Sequence, residues 1–393
     1  MTRLQPAAPA APQATTPALP ARRRLLTAAA AAAASVALPG CALQPPAARP
    51  PPAPPVPTPA PPPAPECPPP PAAPAPLPLV KPPRLRPGDV VGLFASASRM
   101  NEAWIATALA NVRTLGLQPR LAPHVRAVHG HYAGTAQQRA DDLHTLWADP
   151  QVRALWSIRG GAGTAQLLPL LDYAALRRDP KAVLGFSDVT ALHLALQSQA
   201  RLVSLHTLAA SSELTPFSMQ ALRAVLMQPQ STLSLPISPE HQQRAAGDPA
   251  YRRRSVRAGV AEGPLLGGNL SVLSALVGTP YAAQADAALL LLEDVSELPY
   301  RIDRMLTQLE LSGALRHAAA IVGGIFRDCE NPPGQGGMPL AHVIDERLRS
   351  AGVPAVYGLG FGHVRDQLTL PLGIRARLDA GTQALTLLEP AVA

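Results

Sequence analysis

Several polar positions in this 393-residue chain stand where apolar runs end, and their residue types suit acyl transfer. The first is Gly185-Phe186-Ser187-Asp188, which follows the apolar residues 182–184 and precedes a helical pattern. A serine on a sharp strand-to-helix turn projects its hydroxyl and sets backbone N–H groups beside it, the nucleophile-elbow arrangement. Val189 occupies the place of the last glycine in the G-x-S-x-G form of that motif. The local alternative is therefore an ordinary Ser or Asp helix cap. The second position is Glu293-Asp294, closing the apolar run 287–292, where the alternative is a pair of solvated acids. The third is Gly360-Phe361-Gly362-His363, a glycine-flanked loop histidine. A nucleophile needs a base within hydrogen-bond reach, and the base needs an orienting acid. Ser187, Glu293 and His363 offer those types in the chain order nucleophile, acid, base.

A fourth element is Arg159-Gly160-Gly161-Ala162-Gly163, after the apolar run 152–158. Glycines allow close backbone approach and point N–H groups at a ligand. The segment lacks the Gly-Lys-Ser/Thr ending of a P-loop and the spacing of a dinucleotide site. Donation to an oxyanion or a carboxylate fits it better. Lys181, one of two lysines in the chain, reads as a solvated turn residue.

The elements that must hold these residues alternate. Short apolar strands are expected at residues 90–95, 118–122, 152–158, 182–186 and 202–205. Helices are expected at 102–115, 137–147, 164–171, 190–198 and 218–227. That alternation predicts a parallel, doubly wound sheet covered on both faces, with ligands outside the carboxyl ends of its strands. Residues 85–228 would form this domain, and the polar residues 229–253 would connect it to a second, smaller domain at 254–393. There strands at 254–260, 263–266, 288–292, 319–325, 355–358, 368–372 and 384–388 outnumber helices near 269–276, 300–311 and 339–349, a more β-rich pattern.

Composition separates a leader from this body. Of 48 prolines, 29 lie before residue 88. Residues 1–84 carry seven Lys/Arg against Glu66 alone, a net of +6 out of the chain's +8. The body is therefore close to neutral and has no basic tract of the nucleic-acid kind beyond Arg252-Arg253-Arg254, so nucleic acid is not expected as a partner. Cys41, Cys67 and Cys329 give neither a disulfide framework nor clustered metal ligands, and no metal or cofactor is expected. Arg22-Arg23-Arg24-Leu25-Leu26, an apolar stretch to Leu38, and Pro39-Gly40-Cys41 read as a secretory signal over residues 1–41. The arginine pair is of the twin-arginine type, and residues 38–41 are similar to a lipoprotein cleavage box that would acylate Cys41. The export compartment would be the periplasm or cell envelope. Residues 42–84, rich in Pro and Ala, are expected to be a disordered, polyproline-like linker.

Taken together, Arg159-Gly160-Gly161, Pro180-Lys181 leading into Gly185-Phe186-Ser187-Asp188, Gly267-Gly268-Asn269-Leu270, Leu292-Glu293-Asp294 and Tyr300-Arg301-Ile302-Asp303-Arg304 form a recognisable set. With Gly324-Ile325-Phe326-Arg327-Asp328-Cys329 and Gly362-His363, the chain from about Leu85 to Leu388 resembles the LD-carboxypeptidase (muramoyltetrapeptide carboxypeptidase) family of serine peptidases. That family also includes microcin self-immunity peptidases. The resemblance implies a flavodoxin-like amino-terminal domain carrying the nucleophile and a smaller β-rich domain carrying Glu and His. It also implies a homodimer without metal and a murein peptide substrate cut before its terminal D-alanine. It assigns Ser187 as nucleophile, His363 as base, Glu293 as its orienter, and the N–H groups of Asp188 and Gly161 as the oxyanion hole. Arg159 and Asn269 would line the groove. Ala162, His206-Thr207-Leu208 and Ala95-Ser96 depart from the family pattern at the rim of that groove. The rival expectations are a self-immunity-type peptidase acting on an aminoacyl-nucleotide or another peptide conjugate, and a non-catalytic envelope binding protein.

Overall fold

A computed structural model describes residues 77–393. The leader readings, including the signal at 1–41, the acylation of Cys41 and the disorder of most of the linker, lie outside the described residues. The strands in chain order are β1 Val90–Phe94, β2 Gln118–Leu121, β3 Val152–Ser157, β4 Ala182–Gly185, β5 Ser204–His206, β6 Leu233–Ser234 and β7 Arg254–Arg257. They continue as β8 Val260–Asn269, β9 Leu289–Glu293, β10 Ala320–Gly323, β11 Ala355–Tyr357, β12 Leu370–Leu372, β13 Arg375–Asp379 and β14 Ala384–Leu387.

The first sheet has the order β12-β5-β4-β3-β1-β2, with β1 to β5 all parallel. This is the flavodoxin-like order 2-1-3-4-5, whose strand order reverses at β1 and β3. Strand β4 is buried along its whole length, as expected where helices cover both faces and the sequence reads as one apolar run. The antiparallel edge strand β12 comes from the carboxyl-terminal part of the chain, with Leu370 opposite His206. Residues 368–372 were expected in the second domain. Pairing partners are non-local, and an apolar run of that length carries no mark of which edge it will join.

The second sheet is mixed, in the order β6-β14-β13-β8-β9-β10-β11-β7. Strands β8, β9, β10 and β11 are parallel, and the flanking strands are antiparallel. The expected single strand over 254–260 breaks at Gly259, whose φ is 146°. It yields β7 at one edge and β8 in the sheet centre.

Alternation in β9 and β10 explains how the layers meet, because successive side chains of a strand face opposite ways. Leu289, Leu291, Ala320 and Val322 join the core packed around the first sheet. Leu290, Leu292 and Ile321 join a second core under the helices Pro299–Leu311 and Leu340–Ser350. One face of the second sheet is thus buried against the first, while its other face is covered by a second core drawn mainly from residues 254–393.

Three further differences have local causes. Residues 164–171 form a 3-10 helix over Thr164–Leu170 rather than an α-helix, with Pro169 inside it unable to supply an N–H. The connection 229–253 carries β6, the helix Pro239–Arg244 and a short 3-10 turn at Pro249–Tyr251. The linker expected to reach residue 84 is docked well before that. Val80 donates its N–H to the Arg201 carbonyl at 2.8 Å, Lys81 pairs with Glu389 at 2.7 Å, and Arg84 donates to the Ala393 carbonyl at 3.0 Å.

Candidate active site

Strand β4 delivers the chain to the elbow. Phe186 is extended (φ −154°, ψ −169°), and Ser187 then turns into the left-handed region at φ 61° before a 3-10 turn leads into the helix Thr190–Ala195. A non-glycine residue there costs on the order of 1–3 kcal/mol, and such outliers cluster at functional sites. The turn lifts the serine side chain off the sheet end and places the Asp188 N–H beside it, among the first N–H groups of a helix that lack intrahelical partners.

Asp188 does not cap its own helix, which was the plain alternative for this motif. Its buried carboxylate accepts the Thr164 N–H at 2.8 Å and so ties the elbow to the glycine segment. Burial raises its pKa above the ordinary carboxylate value. Arg139, 1% exposed, braces the other side of that segment. Its guanidinium donates to the carbonyls of Ser96 (2.5 Å) and Gly163 (3.1 Å) and to Gln166 Oε1 (2.6 Å). Arg139 was missed at the sequence level, although a charged residue on the apolar side of the amphipathic helix Ala136–Ala148 was the available signal.

The glycine segment lies directly against the serine. A methyl group on Gly160 would stand 3.1 Å from Ser187 Oγ and 3.4 Å from the Asp188 nitrogen, so any side chain there would occupy the space in front of the hydroxyl. At Gly161 (φ 136°) a methyl group would overlap the Ser98 side chain. The Gly161 N–H meets no acceptor among the described residues.

Glu293 and His363 arrive from the second sheet. Glu293 ends β9 and is fully buried. Its Oε2 lies 2.8 Å from His363 Nδ1, and His363 Nε2 lies 3.1 Å from Ser187 Oγ. With the proton on Nδ1 directed at Glu293, the Nε2 lone pair faces the hydroxyl. The loop carrying His363 is fastened by its backbone. Ile325 donates to the Phe361 carbonyl at 3.0 Å, and Arg327 donates to the His363 carbonyl at 3.0 Å. Gly362, at φ 115°, leaves room for the acid, since a methyl group there would fall 3.0 Å from Glu293 Oε2. Phe186 packs on the imidazole with ring centroids 4.7 Å apart.

Asn269, expected to line the groove, holds the acids. It ends β8 opposite Glu293 in register, is 5% exposed, and donates its amide to Glu293 Oε1 (3.3 Å) and Asp294 Oδ1 (3.1 Å). Asp294 also accepts from the Ser271 N–H and hydroxyl and from the Val295 N–H. Two adjacent buried acids are thus held by donors on a neighbouring parallel strand and helix, a pairing that the residue types alone do not reveal. Arg159, by contrast, is exposed, with its guanidinium 4.3 Å from the centre of the Trp104 ring. Lys181 is not a solvated turn residue. It is 3% exposed and donates to the Asp149 carbonyl at 2.6 Å, away from the serine.

Two neutral histidines underlie the elbow. Burial holds His193 at about 3 and His206 at about 4, both below the ordinary 6.5. His193 Nε2 sits 3.0 Å from the Gly185 carbonyl, and His206 packs edge-on against Phe186 and Phe361.

The serine, imidazole and carboxylate therefore form one hydrogen-bonded line, and comparison with known proteins gives it a family. Residues 91–207 match the model of the LD-carboxypeptidase N-terminal domain, and residues 262–378 that of the LD-carboxypeptidase C-terminal domain. A Bacillus subtilis (strain 168) protein described as a probable murein peptide carboxypeptidase is 33% identical over 304 residues, covering 76% of this chain and 91% of the relative. The chain belongs to the LD-carboxypeptidase family. The murein tetrapeptide carboxypeptidase of Pseudomonas aeruginosa is likewise 33% identical over 295 residues, covering 74% of this chain and 92% of that one. The microcin C7 self-immunity protein MccF of Escherichia coli is 25% identical over 342 residues, covering 79% and 96%. An apo structure of MccF superposes with a TM-score of 0.72 over 80% of this chain and all of the other at 21% identity, a likeness that shows the fold. Membership in the LD-carboxypeptidase family makes this chain a serine-type hydrolase of the carboxypeptidase class.

Proposed function

We propose that the protein removes terminal D-alanine from murein tetrapeptides, cutting the amide between an L-centre and the D-residue. The observation that carries this is the continuous line Glu293–His363–Ser187, with 2.8 Å and 3.1 Å contacts, ending on a serine held at positive φ. Ser187 Oγ attacks the amide carbonyl while His363 Nε2 takes its proton. Glu293 holds the imidazole tautomer and stabilises the imidazolium. The tetrahedral oxyanion is received by the N–H groups of Asp188 and Gly161. The C–N bond then breaks, and His363 returns the proton to the leaving D-alanine amine. An ester on Ser187 remains. Water, deprotonated by His363, attacks that ester, restores the serine and releases the shortened peptide.

The reading also takes the protein to be exported to the periplasm or cell envelope, with Cys41 as a candidate lipid anchor, and to act as a homodimer. Pulse-labelling with a radioactive fatty acid, compared with a Cys41→Ala chain, tests the anchor, and light scattering tests the dimer.

The deciding experiment is incubation of the purified protein with murein tetrapeptide, followed by mass spectrometry. Loss of one alanine is expected, and Ser187→Ala should lower the rate at least about 10³-fold while the fold persists. Full activity in Ser187→Ala would sink the assignment. The likeness to MccF supports a second reading, cleavage of an aminoacyl-nucleotide conjugate by the same residues. An uncut tetrapeptide together with a cut conjugate would select it.

A further inference from the structure

A peptidase that acts only at a chain end must recognise what an internal bond lacks, a free carboxylate. That group calls for a cation with unused donors, and a planar guanidinium matches it bidentately. Candidate cations can be sorted by what they already hold. Arg139 is spent on two carbonyls and Gln166. Arg327 is engaged by Asp328 at 2.9 Å and by the His363 carbonyl. Arg365 is paired with Glu213. Lys81 and Lys181, the only lysines, are taken up by Glu389 and the Asp149 carbonyl.

Arg159 is different. It follows β3, the strand beside β4 in the first sheet, and immediately precedes Gly160, the residue whose missing side chain leaves the front of Ser187 open. Its guanidinium meets no acceptor among the described residues. Yet it is not loose, because it lies 4.3 Å over the ring of half-buried Trp104, in the first turn of the helix Glu102–Thr114. The acid in that turn, Glu102, is already bound by Arg126 at 2.7 and 2.9 Å and so does not neutralise Arg159. Stacking holds the guanidinium plane while leaving its N–H edge for a ligand, which lowers the ordering cost of binding. Trp104 was not singled out from the sequence.

We infer that Arg159, laid on Trp104, is the receptor for the free terminal carboxylate of the substrate and so restricts the enzyme to the last residue of a chain. This rests on the carboxypeptidase reading above and adds the specificity-determining contact to it. Arg99 is the neighbouring alternative: it is exposed and its guanidinium meets no acceptor among the described residues, but no aromatic ring holds it. It serves as the control.

The test is protection of Ser187 in the full chain from a fluorophosphonate, by murein tetrapeptide and by the same peptide with a C-terminal amide. Wild type should be protected by the acid at about 10- to 100-fold lower concentration than by the amide, the range of a charge-assisted contact. Arg159→Gln should bring the two concentrations together, Trp104→Leu should narrow the gap, and Arg99→Gln should leave it as in wild type. Thermal unfolding of each variant shows that the fold has survived. A preference for the acid that persists in Arg159→Gln, or that is lost in Arg99→Gln instead, overturns the inference, as does equal protection by both peptides in wild type. If wild type does not cut the tetrapeptide but shows the acid preference, and Arg159→Gln abolishes it, the proposed reaction fails while the carboxylate receptor stands.

Discussion

The two sheets hold their share of the site by opposite means. At the end of β4, Ser187 is placed by backbone strain: a positive φ on a residue with a Cβ, imposed by a buried strand on one side and a helix start on the other. At the end of β9 and on the loop after β11, Glu293 and His363 are placed by hydrogen bonds. Asn269 donates to Glu293, Ile325 and Arg327 donate to carbonyls of the His363 loop, and no residue among Asn269, Glu293 and His363 has a positive φ. The difference follows from what each group must do. A nucleophile must project from the fold with its hydroxyl unencumbered, whereas a buried acid is tolerable only where donors surround it.

The comparison can be broken most sharply at the acid. Glu293→Gln keeps the volume but exchanges a carboxylate for an amide that can force the wrong imidazole tautomer. We expect its rate of alanine release to fall about 10³- to 10⁴-fold. A drop of less than about tenfold in steady-state assays would mean that Glu293 only fills space. The strain side is sharpened by comparing Ser187→Gly with Ser187→Ala, both lacking the hydroxyl. Glycine removes the positive-φ penalty and should raise the unfolding free energy by about 1 kcal/mol over alanine in urea titrations. Equal midpoints would show that the elbow is not strained.

A separate effect concerns acid. His193 and His206 are held below their ordinary value by burial, at about 3 and about 4. The unfolded chain therefore binds more protons than the folded one from about pH 6.5 downward to those values, so the stabilising contribution is complete above pH 6.5 and is lost as pH falls. Each group contributes a slope of at most about 1.4 kcal/mol per pH unit. Urea midpoints at pH 7, 6 and 5 should fall in that order, and less steeply in His193→Gln. A flat profile would mean that these rings are not kept neutral by the fold.

Much of the first sheet was legible because parallel strands covered on both faces read as short apolar runs between helical patterns, and β1, β3 and β4 fall close to their expected places. The second sheet was less legible. The run 254–260 gave no sign that Gly259 would send its halves to different positions, and residues 368–372 joined the other sheet. At the site, Ser187, Glu293 and His363 stood out because polar residues end apolar runs there. The bonds of Asn269 to the acids were not foreseen, and Arg139 and Trp104 were missed, since each acts on residues far away in the chain: 24 positions for Asn269 to Glu293, 43 for Arg139 to Ser96.

By itself, then, the sequence determined which residues could react, the alternation that builds the first sheet, and the glycines at 160 and 362 that leave room around the reacting groups. Hydrophobic period and residue chemistry are local properties and can be read in chain order. Only the tertiary structure decided that a serine and a histidine 176 positions apart would lie 3.1 Å from each other. It also decided that one face of the second sheet would be buried against the first, and that Arg159 would rest on Trp104 rather than on an acid. Those outcomes depend on strand order, register and the competition among charges for partners, which are settled only when all the elements pack at once.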